Sequence, residues 1–194
     1  MVNVAIRELI LGGQKSGKSR WAEGLARNWL AASPSHRAVL IATAEPWDEE
    51  MRERIARHQA DRAGRVPQMT TVEEPLKLAQ AIQQHSYADV LVVVDCLTLW
   101  LTNLLMPAEA ELVGNESFTA LDARFIKPFL NALENAQGPV VLVGNEIGLG
   151  VIPLGAEVRA FVDALGQLNQ AVAQACQRVT LMVVGLPLTL KATL

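Results

Sequence analysis

The sequence has few cysteines, few aromatic side chains and no long uninterrupted apolar run. Its two cysteines, Cys96 and Cys176, lie far apart without the spacing of a metal site, which favours reduced thiols in a protein core. The longest apolar stretch, residues 90–106, contains an aspartate, two threonines and an asparagine, and is too polar to span a membrane. No signal peptide is visible before residue 12. We therefore expect a cytoplasmic protein without a membrane span.

Neither sign of charge is in large excess. The 20 acidic side chains outnumber the 17 lysines and arginines, so the net charge is -3 and the pI is about 5.6. This balance argues against non-specific binding of nucleic acid. Because 51% of the residues are hydrophobic and only 19% are charged, we expect a folded protein, and 194 residues suit a single domain over positions 1–194.

The chain has one clear motif, a phosphate-binding loop between an apolar segment and a helix-prone segment. Backbone N–H groups and the helix dipole at such a loop bind phosphate oxygens. We expect Lys18 to reach the β- and γ-phosphates of a nucleotide and the Ser19 hydroxyl to hold Mg²⁺. The residues that match the pattern Gly, four residues, Gly-Lys-Ser are Gly12, Gly13, Gln14, Lys15, Ser16, Gly17, Lys18 and Ser19.

An acidic residue ends the strongest buried-strand signal of the chain. Residues 89–94 form a continuous apolar run after an initial aspartate, and Asp95 follows at the carboxyl end. In phosphate-loop proteins a carboxylate in this position holds Mg²⁺. We therefore predict that Asp95 and Ser19 are the metal-binding residues, although many strands end in aspartate only because it caps the next helix.

The order of the remaining segments predicts an α/β fold with a mostly parallel sheet and helices on both faces. The predicted strands cover residues 5–11, 38–43, 66–71, 89–95, 140–143, 180–184 and 186–190. The predicted helices cover residues 20–32, 46–64, 76–84, 97–106, 118–135 and 158–176, and residues 107–117 are predicted to be a loop. In the last helix Val158, Phe161, Leu165, Leu168, Val172 and Cys176 form one apolar stripe.

The charged helix predicted at residues 46–64 places His58 on an apolar stripe, after Trp47, Met51 and Ile55. Such a histidine is more often a packing residue than a catalytic one, and the spacing leaves both interpretations open. Arginines on either side favour a nearby phosphate and a neutral, nucleophilic ring, and Asp61 is placed to orient the ring.

A polar, glycine-containing loop follows the strand at residues 140–143. Asn145 and Glu146 lie at the carboxyl end of this strand, where open α/β sheets bind ligands. They are candidate functional residues; turn chemistry alone also accounts for them.

Together these motifs resemble the bifunctional adenosylcobinamide kinase/adenosylcobinamide-phosphate guanylyltransferases of cobalamin assembly over nearly the whole chain. The helix containing His58 and the loop beginning at Asn145, in this order, are specific to the family, whereas the phosphate loop is generic. The matching segments are residues 12–19, 41–44, 48–51, 54–58, 71–75, 94–105, 145–153, 168–170 and 185–188.

The resemblance implies a two-step activity in the RecA-like branch of P-loop NTPase folds. ATP or GTP phosphorylates the aminopropanol hydroxyl of adenosylcobinamide; GMP then passes from GTP through a histidine to adenosylcobinamide phosphate. By position His58 is that histidine, and Lys18 and Mg²⁺ assist catalysis. The family is typically trimeric. Beyond the phosphate loop, the implied nucleotide contacts are Ala42, Thr43, Ala44, Gln59, Ala60, Asp61, Arg62, Glu73 and Asp95.

The sequence departs from the family pattern in three places. Gln14-Lys15 replaces the usual Ala-Arg, so the guanidinium fork of a phosphate contact is absent. Leu154-Gly155 replaces Glu-Asn after Pro153, a change expected to affect corrinoid contacts or trimer packing. Val162 replaces the second arginine of an Arg-x-Phe-Arg-Asp motif.

Two rival functions remain open on the sequence. A simple small-molecule kinase would use the phosphate loop alone and leave His58 structural. A nucleotide-dependent switch or motor subunit would hydrolyse nucleotide in response to a macromolecular partner.

Overall fold

The computed structural model describes residues 6–106 and 122–193, and these contain seven strands and six α-helices. The strands are β1 (Arg7–Gly12), β2 (Arg37–Ala42), β3 (Met69–Glu73), β4 (Val90–Asp95), β5 (Val140–Val143), β6 (Arg178–Val183) and β7 (Leu186–Ala192). The helices are α1 (Lys18–Ala32), α2 (Glu49–Arg65), α3 (Leu78–His85), α4 (Leu97–Leu105), α5 (Lys127–Glu134) and α6 (Ala156–Ala175), and a π-helix, Asp122–Ile126, precedes α5. The predicted loop at 107–117 and the first four residues of the helix predicted at 118–135 lie outside the described residues.

The strands form one sheet in the order β3-β2-β4-β5-β1-β6-β7. All neighbouring strands are parallel except β6 and β7, which are antiparallel. Strands β1, β4 and β5 are buried apart from Asp95, as the apolar runs in their sequences predict for the centre of a parallel sheet, and β1 also buries the charged residues Arg7 and Glu8. The predicted mostly parallel α/β sheet is therefore confirmed.

Helices cover both faces of the sheet, as predicted. On one face α1 and the C-terminal end of α2 pack on alternate strand residues around Ile10, Leu40 and Val93. On the other face α3, α4, α5 and α6 pack around Leu9, Val92 and Leu142. None of the helices in the described ranges is long and apolar enough to cross a membrane.

Several predicted boundaries shift for local reasons. The predicted strand 66–71 begins only at Met69, because Val66 still caps α2 through a hydrogen bond from its N–H to the Arg62 carbonyl, 2.8 Å. Helix α2 begins at Glu49 rather than at residue 46, because the Asp48 side chain accepts the N–H of Met51, 2.7 Å, as an N-cap.

The apolar stripe predicted for the last helix is buried only in its C-terminal half. Leu165, Leu168 and Val172 are buried in the core, whereas Val158 is 53% exposed. The first turns of α6 therefore extend beyond the layer that packs on the sheet.

Candidate active site

The phosphate loop connects β1 to α1 in a conformation that requires glycine at Gly12. Gly12 has φ +153°, and a Cβ atom there would lie 2.5 Å from the Met182 carbonyl oxygen and 2.6 Å from Ser16 Oγ. Gly17, at φ +100°, is the N-cap of α1. The loop glycines thus permit a close turn that opens directly onto a helix N-terminus, the arrangement that binds phosphate.

Lys18 is the first residue of α1 and is buried. Its Nζ donates to the Gly13 carbonyl oxygen at 2.6 Å. Burial lowers the pKa of Lys18 and the charge of Arg54 lowers it further, whereas the nearby Cys96 and Asp95 raise it. Lys18 is therefore close to both Asp95, the predicted metal ligand, and a second cation on α2, Arg54.

The turn between β6 and β7 contacts the phosphate loop, and the sequence did not predict this contact. The N–H of Gly185 donates to the Ser16 carbonyl oxygen at 3.1 Å. Val184 and Gly185 both have positive φ, 47° and 84°, so this is a tight hairpin turn. In the sequence, this tight turn was indicated only by the short interval between the last two predicted strands.

Asp95 lies at the carboxyl end of β4, two strands from β1 in the sheet order. It is half-buried and aligns with Val143 of β5, which in turn aligns with Ile10 of β1. Ser19, also half-buried, is in the first turn of α1. A hydroxyl and a carboxylate suit Mg²⁺, which prefers oxygen ligands and usually keeps waters and substrate phosphates as well. Within the described part of the chain, three or more acidic, cysteine or histidine side chains do not cluster into a larger metal site.

Buried hydrogen bonds hold the turn after β2 in place. Thr43 Oγ1 donates to the Cys96 carbonyl oxygen, 2.7 Å, and accepts from the Cys96 N–H, 2.8 Å. The Asn103 amide donates to the Thr43 carbonyl oxygen at 2.7 Å. Ala42, Thr43 and Ala44 are therefore held at the same sheet edge as Asp95. Burial raises the pKa of the Cys96 thiol to about 11, which suits a packing role.

The loop after β5 is hydrogen-bonded to α4, to α6 and to the phosphate loop. The Asn145 N–H donates to Thr98 Oγ1 of α4, 2.8 Å, and its carbonyl oxygen accepts from the Asn169 amide of α6, 3.1 Å. The Glu146 N–H donates to the Gly12 carbonyl oxygen, 3.1 Å, which joins this loop to the phosphate loop. Glu146 also borders a cavity of about 870 Å³ between the loop and α6. Sequence reasoning singled out Asn145 and Glu146 but missed Thr98 and Asn169 as their supports.

Helix α2 is attached to α1 at its C-terminal end. Arg65 forms a 2.9 Å ion pair with Glu23 of α1, whose side chain is only 8% exposed. Arg65 also pairs with Asp61 at 2.9 Å. The prediction that Asp61 orients the His58 ring is therefore wrong, because the Asp61 carboxylate is engaged one turn further along the helix by a stronger, charged donor.

The attachment defines which face of α2 looks toward α1. At 100° per residue, Arg54, His58, Asp61 and Arg65 fall within about 60° of one another around the helix. Arg65 contacts α1, and the other three residues share its side of the helix, which we call the α1-facing side. His58 is seven residues before Arg65, or roughly 10 Å along the axis, and Lys18 is five residues before Glu23, or roughly 8 Å. Since α1 and α2 both follow parallel strands on one face, they run in the same direction, and His58 lies near the level of the phosphate loop.

His58 itself is exposed, which corrects the interpretation that it packs with the apolar stripe. Met51 and Ile55 of that stripe are half-buried, and Trp47 is 39% exposed. The N-terminal half of α2 is mostly exposed, so its residues have little protein to pack against. Among the described residues, none makes a hydrogen bond to the His58 ring.

A different face of α2 meets the edge strand β3. Arg62 is buried and donates to Thr71 Oγ1 at 3.3 Å, and the Gln59 amide donates to Glu73 at 3.3 Å. These four side chains line a cavity of about 280 Å³, and Ala60 is exposed nearby. β3 is four strands from β1, or roughly 19 Å, and Ala42 of β2 aligns with both Glu73 of β3 and Asp95 of β4, so the predicted nucleotide contacts extend along the carboxyl edge of the sheet.

The chain is similar to known proteins over most of its length. The family model described as cobinamide kinase/cobinamide phosphate guanyltransferase matches residues 8–190. The bifunctional adenosylcobalamin biosynthesis protein CobP of Pseudomonas aeruginosa is 46% identical over 187 residues, covering 96% of this chain and 98% of that protein. The bifunctional protein CobU of Escherichia coli is 33% identical over 187 residues, covering 94% and 98%.

A solved structure of an ATPase domain aligns with a TM-score of 0.50 at 14% identity, covering 91% of this chain and 68% of that one, and it supports the fold alone. The fold is that of a P-loop NTPase, as predicted. The resemblance inferred from the motifs is likewise confirmed, and the chain belongs to the cobinamide kinase/cobinamide phosphate guanyltransferase family of bifunctional transferases in cobalamin biosynthesis.

Proposed function

We propose that this chain phosphorylates adenosylcobinamide with ATP or GTP and then transfers GMP from GTP to the product through a covalent His58 intermediate. Family membership supports the two activities, and the geometry of α2 supports the assignment of His58. We further propose that a homotrimer is the active assembly.

In the kinase step the phosphate loop and Lys18 bind the β- and γ-phosphates. The aminopropanol hydroxyl attacks the γ-phosphorus, the bond to the β-phosphate oxygen breaks, the nucleoside diphosphate leaves and the hydroxyl proton passes to solvent. Mg²⁺ held by Ser19 and Asp95 would neutralise charge on the phosphates. Lys18 supplies a fixed positive charge where negative charge develops, which is how catalysis of phosphoryl transfer chiefly works.

In the guanylyl step the unprotonated ring nitrogen of His58 attacks the α-phosphorus of GTP. The bond from the α-phosphorus to the bridging oxygen breaks, pyrophosphate leaves, and the proton on the other ring nitrogen passes to solvent. A phosphate oxygen of adenosylcobinamide phosphate then attacks the same phosphorus, the nitrogen–phosphorus bond breaks, the ring takes up a proton from solvent to leave as neutral imidazole, and adenosylcobinamide-GDP forms. The covalent intermediate divides one difficult transfer into two easier ones.

The observation that carries the assignment is the face of α2 on which His58 lies. This face turns toward α1, whose N-terminus is the phosphate loop, and the Arg65–Glu23 pair fixes that orientation. The exposed ring is open to a nucleotide and to a large acceptor. Gln59, Ala60, Asp61, Arg62 and Glu73 are proposed as contacts to the rest of GTP, and Ala42, Thr43 and Ala44 as contacts at the sheet edge.

Incubation with GTP labelled at the α-phosphate tests the proposal. We expect a protein-bound label that is labile in acid and stable in alkali, and that is absent in His58→Ala. The chain has only two other histidines, His36 and His85, so His36→Ala and His85→Ala are complete controls and should retain the label.

Absence of label in the native protein, with adenosylcobinamide kinase activity intact, would favour the simple kinase instead. Label retained in Lys18→Ala would show that GTP does not occupy the phosphate loop during guanylylation. Nucleotide hydrolysis stimulated by a macromolecule, without corrinoid-dependent turnover, would favour a switch or motor subunit.

A further inference from the structure

Helix α2 has several arginines, and most of them have acceptors. Arg52 pairs with Glu49 at 2.8 Å, Arg65 pairs with Glu23, and Arg62 donates to Thr71. Arg54 differs from them, because it is half-buried and none of the described residues accepts a hydrogen bond or forms an ion pair with it. A guanidinium partly removed from water without an acceptor is costly unless an anion joins it.

The position of Arg54 indicates where such an anion would lie. Arg54 is one helical turn before His58, roughly 6 Å along the axis, on the same α1-facing side of α2. That side carries Arg65, whose ion pair with Glu23 joins α2 to α1, the helix that begins at Lys18. Two cations from different helices thus face one region at the mouth of the phosphate loop.

We propose that Arg54 binds the pyrophosphate portion of GTP together with Lys18 and stabilises it as it leaves the α-phosphorus attacked by His58. This inference rests on the guanylyl transfer proposed above. Arg54 holds the β- and γ-phosphates on the far side of the α-phosphorus from the ring, which aligns the bond that breaks with the one that forms. A guanidinium suits this role because it stays charged and donates two parallel hydrogen bonds to phosphate oxygens.

The test compares Arg54→Ala and Arg54→Lys with Arg52→Ala. Arg52 is on the opposite side of the same helix and its pair with Glu49 is exposed, so it is a matched control for loss of charge. The rate of single-turnover labelling of His58 at saturating α-labelled GTP should fall about 100-fold or more in Arg54→Ala, and less in Arg54→Lys. Arg52→Ala should stay within about twofold of the native rate.

The reverse reaction separates a chemical role from a structural one. Labelled protein mixed with pyrophosphate should regenerate GTP, and Arg54→Ala should raise the KM for pyrophosphate at least tenfold while thermal unfolding stays unchanged. A native labelling rate and a native pyrophosphate KM in Arg54→Ala would overturn the inference. So would a slow variant with an unchanged pyrophosphate KM and a lowered unfolding temperature. If the native protein takes no label at all, the proposed guanylyl transfer itself fails, and that result is distinct from either of these.

Discussion

At the scale of single residues, the space next to the backbone determines which substitutions the protein tolerates. Gly138, just before β5, is an example: a Cβ atom there would lie 2.0 Å from the Tyr87 carbonyl oxygen and 2.3 Å from that of Val90. The N–H groups of Gln137 and Gly138 both donate to Ser86 Oγ, so the segment cannot move away without losing buried hydrogen bonds. Nothing in the Gly-Pro sequence distinguishes this close approach from an ordinary turn.

We therefore predict that Gly138→Ala lowers the free energy of unfolding by about 3 kcal/mol, because the added methyl group overlaps backbone atoms that cannot yield. Urea denaturation measures the change. Gly24→Ala is the matched control, since a Cβ there meets nothing within 4 Å inside α1, and it should stabilise the protein by about 0.5–1 kcal/mol. Equal effects of the two substitutions would contradict the close backbone packing at Gly138.

At the scale of elements, the position of α2 depends on contacts near its C-terminal end. Its N-terminal half is mostly exposed, and its C-terminal end is anchored by the Arg65–Glu23 pair and by Val66 in the core. Glu23 is nearly inaccessible, so the loss of Arg65 would leave a buried carboxylate without its partner. The pair therefore contributes both to stability and to the position of α2.

A double-mutant cycle with Glu23→Ala and Arg65→Ala should give a coupling free energy of about 1–3 kcal/mol by urea denaturation. The Glu49–Arg52 pair on the same helix is exposed at both side chains and should give less than about 0.5 kcal/mol. We also expect Arg65→Ala to slow the labelling of His58 more than it weakens nucleotide binding, because the phosphate loop lies outside α2 and still binds the phosphates. Parallel losses of both would indicate that the pair supports the fold generally.

At the scale of the whole molecule, an apolar surface remains uncovered. Leu149 is 80% exposed, Ile152 77%, and Val151 and Leu154 97% each, all in the loop between β5 and α6. Exposed apolar side chains in such a group are typical of a protein–protein interface. This loop is the surface we assign to contacts between copies in the proposed trimer.

Sedimentation equilibrium should therefore give a trimer for the native chain and a monomer for the double variant Val151→Asp, Leu154→Asp, because each aspartate would be buried without a partner in the interface. Tyr87→Asp, at a residue that is 50% exposed elsewhere on the surface, should remain trimeric. A native monomer, or a trimer in the double variant, would exclude this loop as the interface.

Local patterns in the sequence determined the α/β fold, the phosphate loop and the Asp95 strand, because each depends on residues close together in the chain. Apolar runs specify central parallel strands, and the loop needs only its glycines, Lys18 and a following helix. Tertiary structure decided what depends on distant residues. It paired Asp61 with Arg65 instead of His58, left His58 exposed to solvent, and brought Arg54 toward Lys18 across two helices. Those outcomes follow from how α2 docks on α1, and the ion pair that sets the docking joins residues 42 positions apart.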